Sequence, residues 1–534
     1  MRFDRPRRGL RVSGARQGAE YGQAGRRDGL LIGVLRCGGP LPPGPQLRSQ
    51  RRVLIQMLLL RRVLFTAIIL MPLAGAPAGA QPLVTGIKDP AGPGFDEPDL
   101  ATAYRTIAGA GATTVRMPVA WTEIAPKRPA NAADLGDAAY RWTSLDARVT
   151  QAATAGLHPI LSLYAPPQWA IASPGRKGFG DWPDPVELER FAESIARRYN
   201  GGALPAVRHW QVWNEPNLDG YLDQSAGDAP ARYGQLVNAV ADGVKRVAAD
   251  NLVIAGGLGP FGGPGTYGSR KGAYGTRPLP FMRRLLCVRA GAGRAAACNR
   301  RTRFDIWAHH PYTSGGPTHQ AIQPGDASLG DLPQMRRILR RAERSGSIRR
   351  SGRVRFWVTE FSWDSSPPDR EGLPLRLHAR WVAEALFRMW KAGVSQVTWF
   401  QLRDMPLTSI WQSGLYLRGP GELADAPAKP ALRAFRFPFV AYRAERGVKV
   451  WGRTPASDAR TVVIEQRRNG RWVRSGSLRS GSAGIFAATV RGSGTGAVRA
   501  RLAGRGDSTA AFSLRRPRDR FVNPFGSEAA PEDA

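Results

Sequence analysis

The sequence is short of cysteine, lysine and acidic residues, and each shortage excludes something. Three cysteines occur among 534 residues. Cys37 falls in the N-terminal segment 1–56, which leaves Cys287 and Cys298 separated by a Gly/Ala/Arg-rich stretch. No histidine stands at ligand spacing from that pair, so a zinc site is not supported. In an exported protein the expected state is one local disulfide clipping a surface loop. Also missing are a Gly-x-Ser-x-Gly elbow, a phosphate-binding loop and a His-Glu-x-x-His helix, which removes the usual signatures of serine hydrolases, nucleotide-binding enzymes and zinc proteases.

Lysine and arginine together number 77 against 42 acidic residues, a formal charge of +35. Such an excess draws polyanions, yet its distribution argues otherwise. Residues 1–80 alone carry 14 Arg and 3 acidic residues. Arginine outnumbers lysine 69 to 8, a bias that GC-rich coding produces without selection for a ligand. No basic run is interleaved with aromatics as in a nucleic-acid groove, so a solvated basic surface is expected and nucleic acid is not an expected partner.

Long apolar runs are absent too. The longest candidate, Val63–Leu73, is too short for a membrane span, which needs about 20 residues. It sits behind Arg61-Arg62 and ahead of Ala78-Gly79-Ala80, the layout of a secretory signal peptide over residues 57–80. Cleavage there predicts a secreted, extracellular protein with no stable membrane insertion. Translation is expected to start at Met57, with residues 1–56 a gene-model artefact or a disordered extension.

What is present is core material: 42% apolar residues, including 15 Trp, 19 Phe and 12 Tyr. A chain this long exceeds one growing core, so a main domain with an accessory piece is expected. From residue 84, β-rich runs alternate with amphipathic helical segments such as DPVELERFAESIARRYN. Eight runs are found: Val84–Lys88, Thr113–Val119, Leu157–Tyr164, Val207–Trp213, Leu252–Leu258, Phe304–His309, Arg355–Thr359 and Gln396–Gln401. Eight βα units predict an α/β fold, a (β/α)8 TIM barrel over residues 81–438. A doubly wound sheet competes, but GIKDPAGPGF after the first run does not lead into a helix as a phosphate turn requires. Beyond KPALRAF the period changes to two, predicting a small C-terminal β-sandwich over 439–515 and a disordered tail over 516–534. A packing or spacer role is favoured for the sandwich over carbohydrate binding.

Two apolar β-runs end in a carboxylate: HWQVWNEPN, with Asn214 and Glu215 after the fourth, and RFWVTEFSW, with Glu360 after the seventh. Barrel sites are assembled at the C-terminal ends of strands, so both lie where chemistry occurs. Asn-Glu-Pro at 214–216 and Thr-Glu-Phe at 359–361 resemble the clan of barrel glycoside hydrolases whose acid/base and nucleophile glutamates follow strands four and seven. The resemblance covers about residues 84–437 and is closest to the cellulase-like and β-xylosidase-like families. It implies a retaining glycosidase acting on a β-linked oligo- or polysaccharide, with Glu215 as acid/base and Glu360 as nucleophile.

The same resemblance implies supporting roles. Arg116 would hold the nucleophile ionised, and Asn214 would bond the sugar 2-hydroxyl. In AHHPY, His310 and Tyr312 match a His-x-Tyr pattern with the tyrosine near the nucleophile, and His309 would point into the barrel or the wall, with a swap of the two histidines the alternative. Trp399 would be the aromatic platform beneath the sugar ring. Tyr164 departs from the histidine that cellulase-like relatives often carry there. Trp121, Trp169, Trp182 and Trp363 are further platform candidates. The implied mechanism requires no metal or organic cofactor, and a monomer is expected. A transglycosidase and a non-catalytic carbohydrate-binding protein on the same barrel are the alternatives.

Overall fold

The computed structural model describes residues 81–522 apart from 93–94, 97–98, 177–179, 226, 268–269, 274, 290–300, 408, 410 and 505. The chain forms two units, 1–71 and 72–534, and all described residues belong to the second. The segments 1–56 and 57–80, residues 523–534 and Cys298 lie outside the described residues. Cys287 is disulfide-bonded. No described helix is long and apolar enough to cross a membrane.

Eight parallel strands close a barrel: β1 (Val84–Lys88), β2 (Thr114–Ala120), β3 (His158–Tyr164), β4 (His209–Val212), β5 (Leu252–Leu258), β6 (Ile306–His309), β7 (Arg355–Phe361) and β8 (Val394–Trp399). They pair in chain order, and β1 closes the ring by bonding both β2 and β8. Bulky residues at alternate positions fill the lumen, where Ile160, Ile254, Ile306, Ala308 and Trp357 form their own cluster. The expected strands match within two or three residues, the usual scatter of element ends.

Each strand is followed by a helix: α1 (Leu100–Gly109), α2 (Thr143–Thr154), α3 (Pro185–Arg198), α4 (Ala229–Val247), α5 (Pro278–Leu285), α6 (Leu332–Ser345), α7 (Leu375–Lys391) and α8 (Pro430–Arg436). Their starts are legible chemically. Asp184 accepts hydrogen bonds from the backbone N–H groups of Val186 and Glu187, with Pro185 in the first turn. Asp228 does the same for Ala231. Such caps satisfy donors that an α-helix leaves unpaired at its N-terminus, typically worth ~1 kcal/mol.

The C-terminal part holds two antiparallel sheets. One contains β9 (Phe439–Arg443), β10 (Val448–Arg453) and β13 (Ile485–Val490). The other runs β12 (Arg471–Arg479), β11 (Thr461–Arg468), β14 (Ala497–Leu502), β15 (Phe512–Ser513). Tyr442 meets Phe512 across the two sheets at 5.8 Å. This sandwich is seated on α7, where Trp451 packs against Phe387 and Trp390 at 5.2 and 5.4 Å. Arg453 is buried and donates to the Leu83 carbonyl at 2.8 Å and the Thr85 hydroxyl at 3.1 Å. Those partners stand at the N-terminal end of β1, so the sandwich braces the barrel away from its C-terminal mouth. Residues 516–522 continue past the sandwich, and the Val522 N–H donates to the Ser314 carbonyl at 3.0 Å. That part of the expected tail is anchored beside the loop after β6.

Candidate active site

The C-terminal mouth of the barrel holds a cavity of ≈ 270 Å3. Arg116 on β2 organises it. Its guanidinium donates to Glu360 Oε2 at 3.0 Å, Gln211 Oε1 at 3.0 Å, Asn214 Oδ1 at 2.6 Å and Ser162 Oγ at 3.3 Å. One buried cation thereby ties together β2, β3, β4 and β7. A planar fork with five donors suits this task, and a lysine in the same place does not.

Glu360 closes the other side of that contact. The Tyr312 hydroxyl donates to its Oε1 at 2.9 Å. Burial opposes ionisation of Glu360, but His310, Arg116, the Tyr312 hydroxyl and Lys88 outweigh it and hold the carboxyl below its ordinary range. Burial pushes the Tyr312 hydroxyl well above its ordinary value, helped by the adjacent Glu360 charge, so it remains a donor. Both effects leave an ionised, oriented carboxylate facing the cavity.

Glu215 is placed by strained backbone. Trp213 and Glu215 adopt φ of 68° and 42°, values that L residues avoid and that cost about 1–3 kcal/mol each unless the surroundings enforce them. The enforcement is visible. The Trp213 N–H donates to the Leu163 carbonyl at 2.8 Å, its indole N–H to the Tyr221 carbonyl at 3.0 Å, and the Glu215 N–H to the Gly257 carbonyl at 3.0 Å. The carboxyl meets His310 Nδ1 at 3.0 Å, while His310 Nε2 meets the Thr359 hydroxyl at 3.1 Å. A Cβ at residue 259 would stand 3.3 Å from the Glu215 carboxyl carbon, so Gly259 leaves room for that group.

Oxygens of Glu215 and Glu360 and a ring nitrogen of His310 all lie within 4.8 Å of one another. Such a trio suits a cation in principle. Here Arg116 already places a positive charge 3.0 Å from Glu360, and Lys88 lines the same cavity. The donor set is charge-compensated by side chains.

Of the residues expected from sequence, Glu215, Glu360, Arg116, Asn214, His310 and Tyr312 converge. His309 does turn away: its Nε2 meets the Ala327 carbonyl at 2.8 Å, and burial pushes its pKa down to about 3. Trp399 does not serve as a platform. It is buried behind the barrel wall against Phe361, His378 and Phe435, with its indole N–H on the Ser413 carbonyl. The residue that lines the cavity is its neighbour Phe400, together with Trp411, 5.3 Å from it ring to ring. Successive residues of a strand face opposite sides, so a one-residue error exchanges wall for lumen.

The four loop tryptophans are also absent from this cavity. Trp121 stacks on Phe191, Trp169 lies under Arg128, Trp182 lies under Arg232, and Trp363 is buried between Phe361 and Trp381. Tyr164, by contrast, lines it.

Two ionisable lining residues, Lys88 and Asp364, were among those not foreseen. Lys88 ends β1 beside Glu360, and burial pulls its pKa down to about 7. Asp364 lies four residues past Glu360, and burial pushes its pKa up to about 7. Its Oδ1 accepts from the Gln412 N–H at 3.0 Å, and its Oδ2 has no protein partner among the described residues. Both terminate or follow an apolar β-run, the signal that also marked Glu215 and Glu360.

No family model matches the sequence, and no curated protein does either. Solved structures do. A family 39 glycoside hydrolase from Bacteroides cellulosilyticus WH2 is 20% identical over 77% of this chain and 81% of its own, with a TM-score of 0.47. A monomeric β-xylosidase from Caulobacter crescentus CB15 is 16% identical over 79% and 96%, with a TM-score of 0.45. The catalytic domain of a family 30 xylanase C from Talaromyces cellulolyticus is 10% identical over 78% and 98%, at 0.42.

Proposed function

We propose that this chain is a retaining glycoside hydrolase that cleaves β-linked sugars by double displacement. The observation that carries the reading is the pair of carboxylates, with oxygens of Glu215 and Glu360 within 4.8 Å of each other at the mouth of the barrel. Retaining enzymes hold their two carboxyl groups about 5–5.5 Å apart, whereas inverting enzymes leave about 6.5–9.5 Å for a water. The asymmetry of the pair supports the roles given to each. Glu360, ionised by Arg116 and oriented by Tyr312, attacks the anomeric carbon. The bond to the leaving oxygen breaks as Glu215 gives that oxygen a proton. Glu215 then takes a proton from water, the water oxygen bonds to the anomeric carbon, and Glu360 is released as carboxylate.

Asn214 stands one residue from Glu215 and on Arg116, in position for the 2-hydroxyl of the bound ring, an interaction that strengthens toward the transition state. Phe400 and Trp411 supply apolar surface for the C–H face of a sugar. At ≈ 270 Å3 the cavity is just below the ~300–1,000 Å3 typical of small-molecule sites, which suits one sugar ring at the cleavage point. The signal-like segment 57–80, outside the described residues, supports action outside the cell.

The test is product stereochemistry. Incubation with a panel of aryl β-glycosides and plant or microbial polysaccharides, followed by proton NMR of the first-formed sugar, should give the β-anomer before mutarotation. An α-anomer would eliminate double displacement. Sugar binding without turnover would select the non-catalytic alternative.

A further inference from the structure

A second concave site lies on the helical layer outside the barrel. Between α6, α7 and the loop after β6 is a cleft of ≈ 600 Å3 that shares no lining residue with the catalytic cavity. Arg336, Arg337, Arg340, Arg388 and Lys391 line it, and no carboxylate among the described residues does. Arg336 is buried, its Nε has no partner among the described residues, and its other contact is a long 3.4 Å bond to the Val354 carbonyl. Burial and the neighbouring Arg353 and Arg340 charges disfavour its charged form, and Glu343 offsets this only in part.

Codon bias accounts for many arginines, but it does not account for a concave lining with five cations and no carboxylate among the described residues. On α3 and α4 of the same barrel, Arg190 pairs with Glu187, Arg197 with Glu193, and Arg246 with both Glu189 and Glu193. On α6 the spacing is reversed in sense: Arg336 and Arg340 stand one turn apart with like charge, an arrangement that destabilises a helix. Its one acid, Glu343, acts on Arg336 from outside the cleft lining and accepts the Val354 N–H. Five cations thus share two acids, Glu343 acting on Arg336 and Glu384 on Arg388, and neither acid lines the cleft.

We propose that this cleft is a second binding site, for the carboxylate or sulfate groups of an acidic polysaccharide. Arginine forks match planar oxyanions in two-point contacts, and five cations around one concavity suit several such groups along a chain. Among the described residues the cleft has no aromatic lining side chain on which a nucleobase would stack. The choice of a polysaccharide among anionic polymers rests on the glycosidase reading above.

Titration calorimetry of the full chain with polygalacturonate, with dextran as the neutral control, tests this at about 0.05 and 0.2 M salt. Polygalacturonate should bind and dextran should not. Arg337→Gln/Arg340→Gln, both at exposed positions, should weaken binding about tenfold and flatten its salt dependence, leaving turnover of a small aryl glycoside unchanged. Arg468→Gln/Arg471→Gln, a comparably exposed pair on the sandwich, should change binding less than twofold. Absence of binding, equal losses in the two variants, or equally tight binding to single-stranded DNA or phosphatidylglycerol vesicles would overturn the proposal. Because calorimetry reads binding without turnover, and is repeated on Glu360→Ala, a chain that binds but hydrolyses nothing removes the glycosidase reading while the site stands.

Discussion

Glu360 and Asp364 sit four residues apart at the end of β7, face the same cavity, and are pushed in opposite directions. Burial works against ionisation at both. At Glu360 it is overcome by His310, by Arg116 at 3.0 Å, by the Tyr312 hydroxyl and by Lys88. At Asp364 the opposing influences are a backbone N–H and Lys429, whose ammonium is committed to Asp404 at 2.5 Å, so the carboxyl rises to about 7. Position on the fold made both carboxylates available. The partners decide which carboxyl is held ionised and which is about half protonated near pH 7.

The largest test of that contrast removes the carboxylates one at a time. Glu360→Ala should lower kcat by about 10,000-fold or more, since no covalent step remains. Azide should restore turnover by giving a glycosyl azide of inverted configuration. Glu215→Gln should cost about 100- to 10,000-fold with poor leaving groups and much less with dinitrophenyl glycosides, which need little protonation. In that variant azide should give the retained product. Product configuration by NMR distinguishes the two, and exchanged outcomes would reverse the assignment. Asp364→Ala, by comparison, should leave the anomeric outcome untouched.

A smaller effect isolates one partner of Glu360. Tyr312→Phe removes a single hydrogen bond to a charged group, worth about 1.5–3 kcal/mol, or roughly 10–100-fold in kcat/KM. The hydroxyl favours the ionised carboxylate, so its loss raises the Glu360 pKa. The acid limb of the kcat/KM profile should then move to higher pH. An unmoved limb with the same loss of rate would assign Tyr312 to sugar positioning instead.

The sequence made the strand ends legible because eight apolar β-runs repeat with helical segments between them, and barrel topology then aligns the ends on one face. Glu215, Glu360 and Arg116 could be found this way, being polar residues in or at the ends of such runs. Lys88 carried a similar mark, since it closes Val84–Lys88, while Glu215 follows the end of its strand. What the pattern did not resolve was facing. Trp399 and Phe400 differ by one residue, and only closure of the barrel decides which of them reaches the lumen. The tryptophans of the loops were harder still, because their exposure depends on loop conformations that no periodicity encodes. The cationic cleft was hidden for a related reason: Arg336 and Arg388 are far apart in the chain and meet only when α6 packs beside α7.

The subtlest expected difference between Glu360 and Asp364 is in stability rather than rate. For Asp364 the folded-state value, about 7, lies above its ordinary 3.8. Between those values the folded chain keeps a proton that the unfolded chain releases, so this group's contribution to stability declines as pH rises from about 4 to 7. Asp364→Asn keeps the shape and removes the titration. Its melting temperature relative to wild type should therefore climb across that window, with an upper bound of ~4 kcal/mol at 1.36 kcal/mol per tenfold, reduced because the group is partly exposed. Glu360→Gln should show the opposite sign, because a lowered carboxyl contributes stability above its ordinary range and loses it in acid. Parallel pH–melting curves for the two variants would mean that burial alone governs both carboxylates and that Arg116 and Tyr312 do not set them apart.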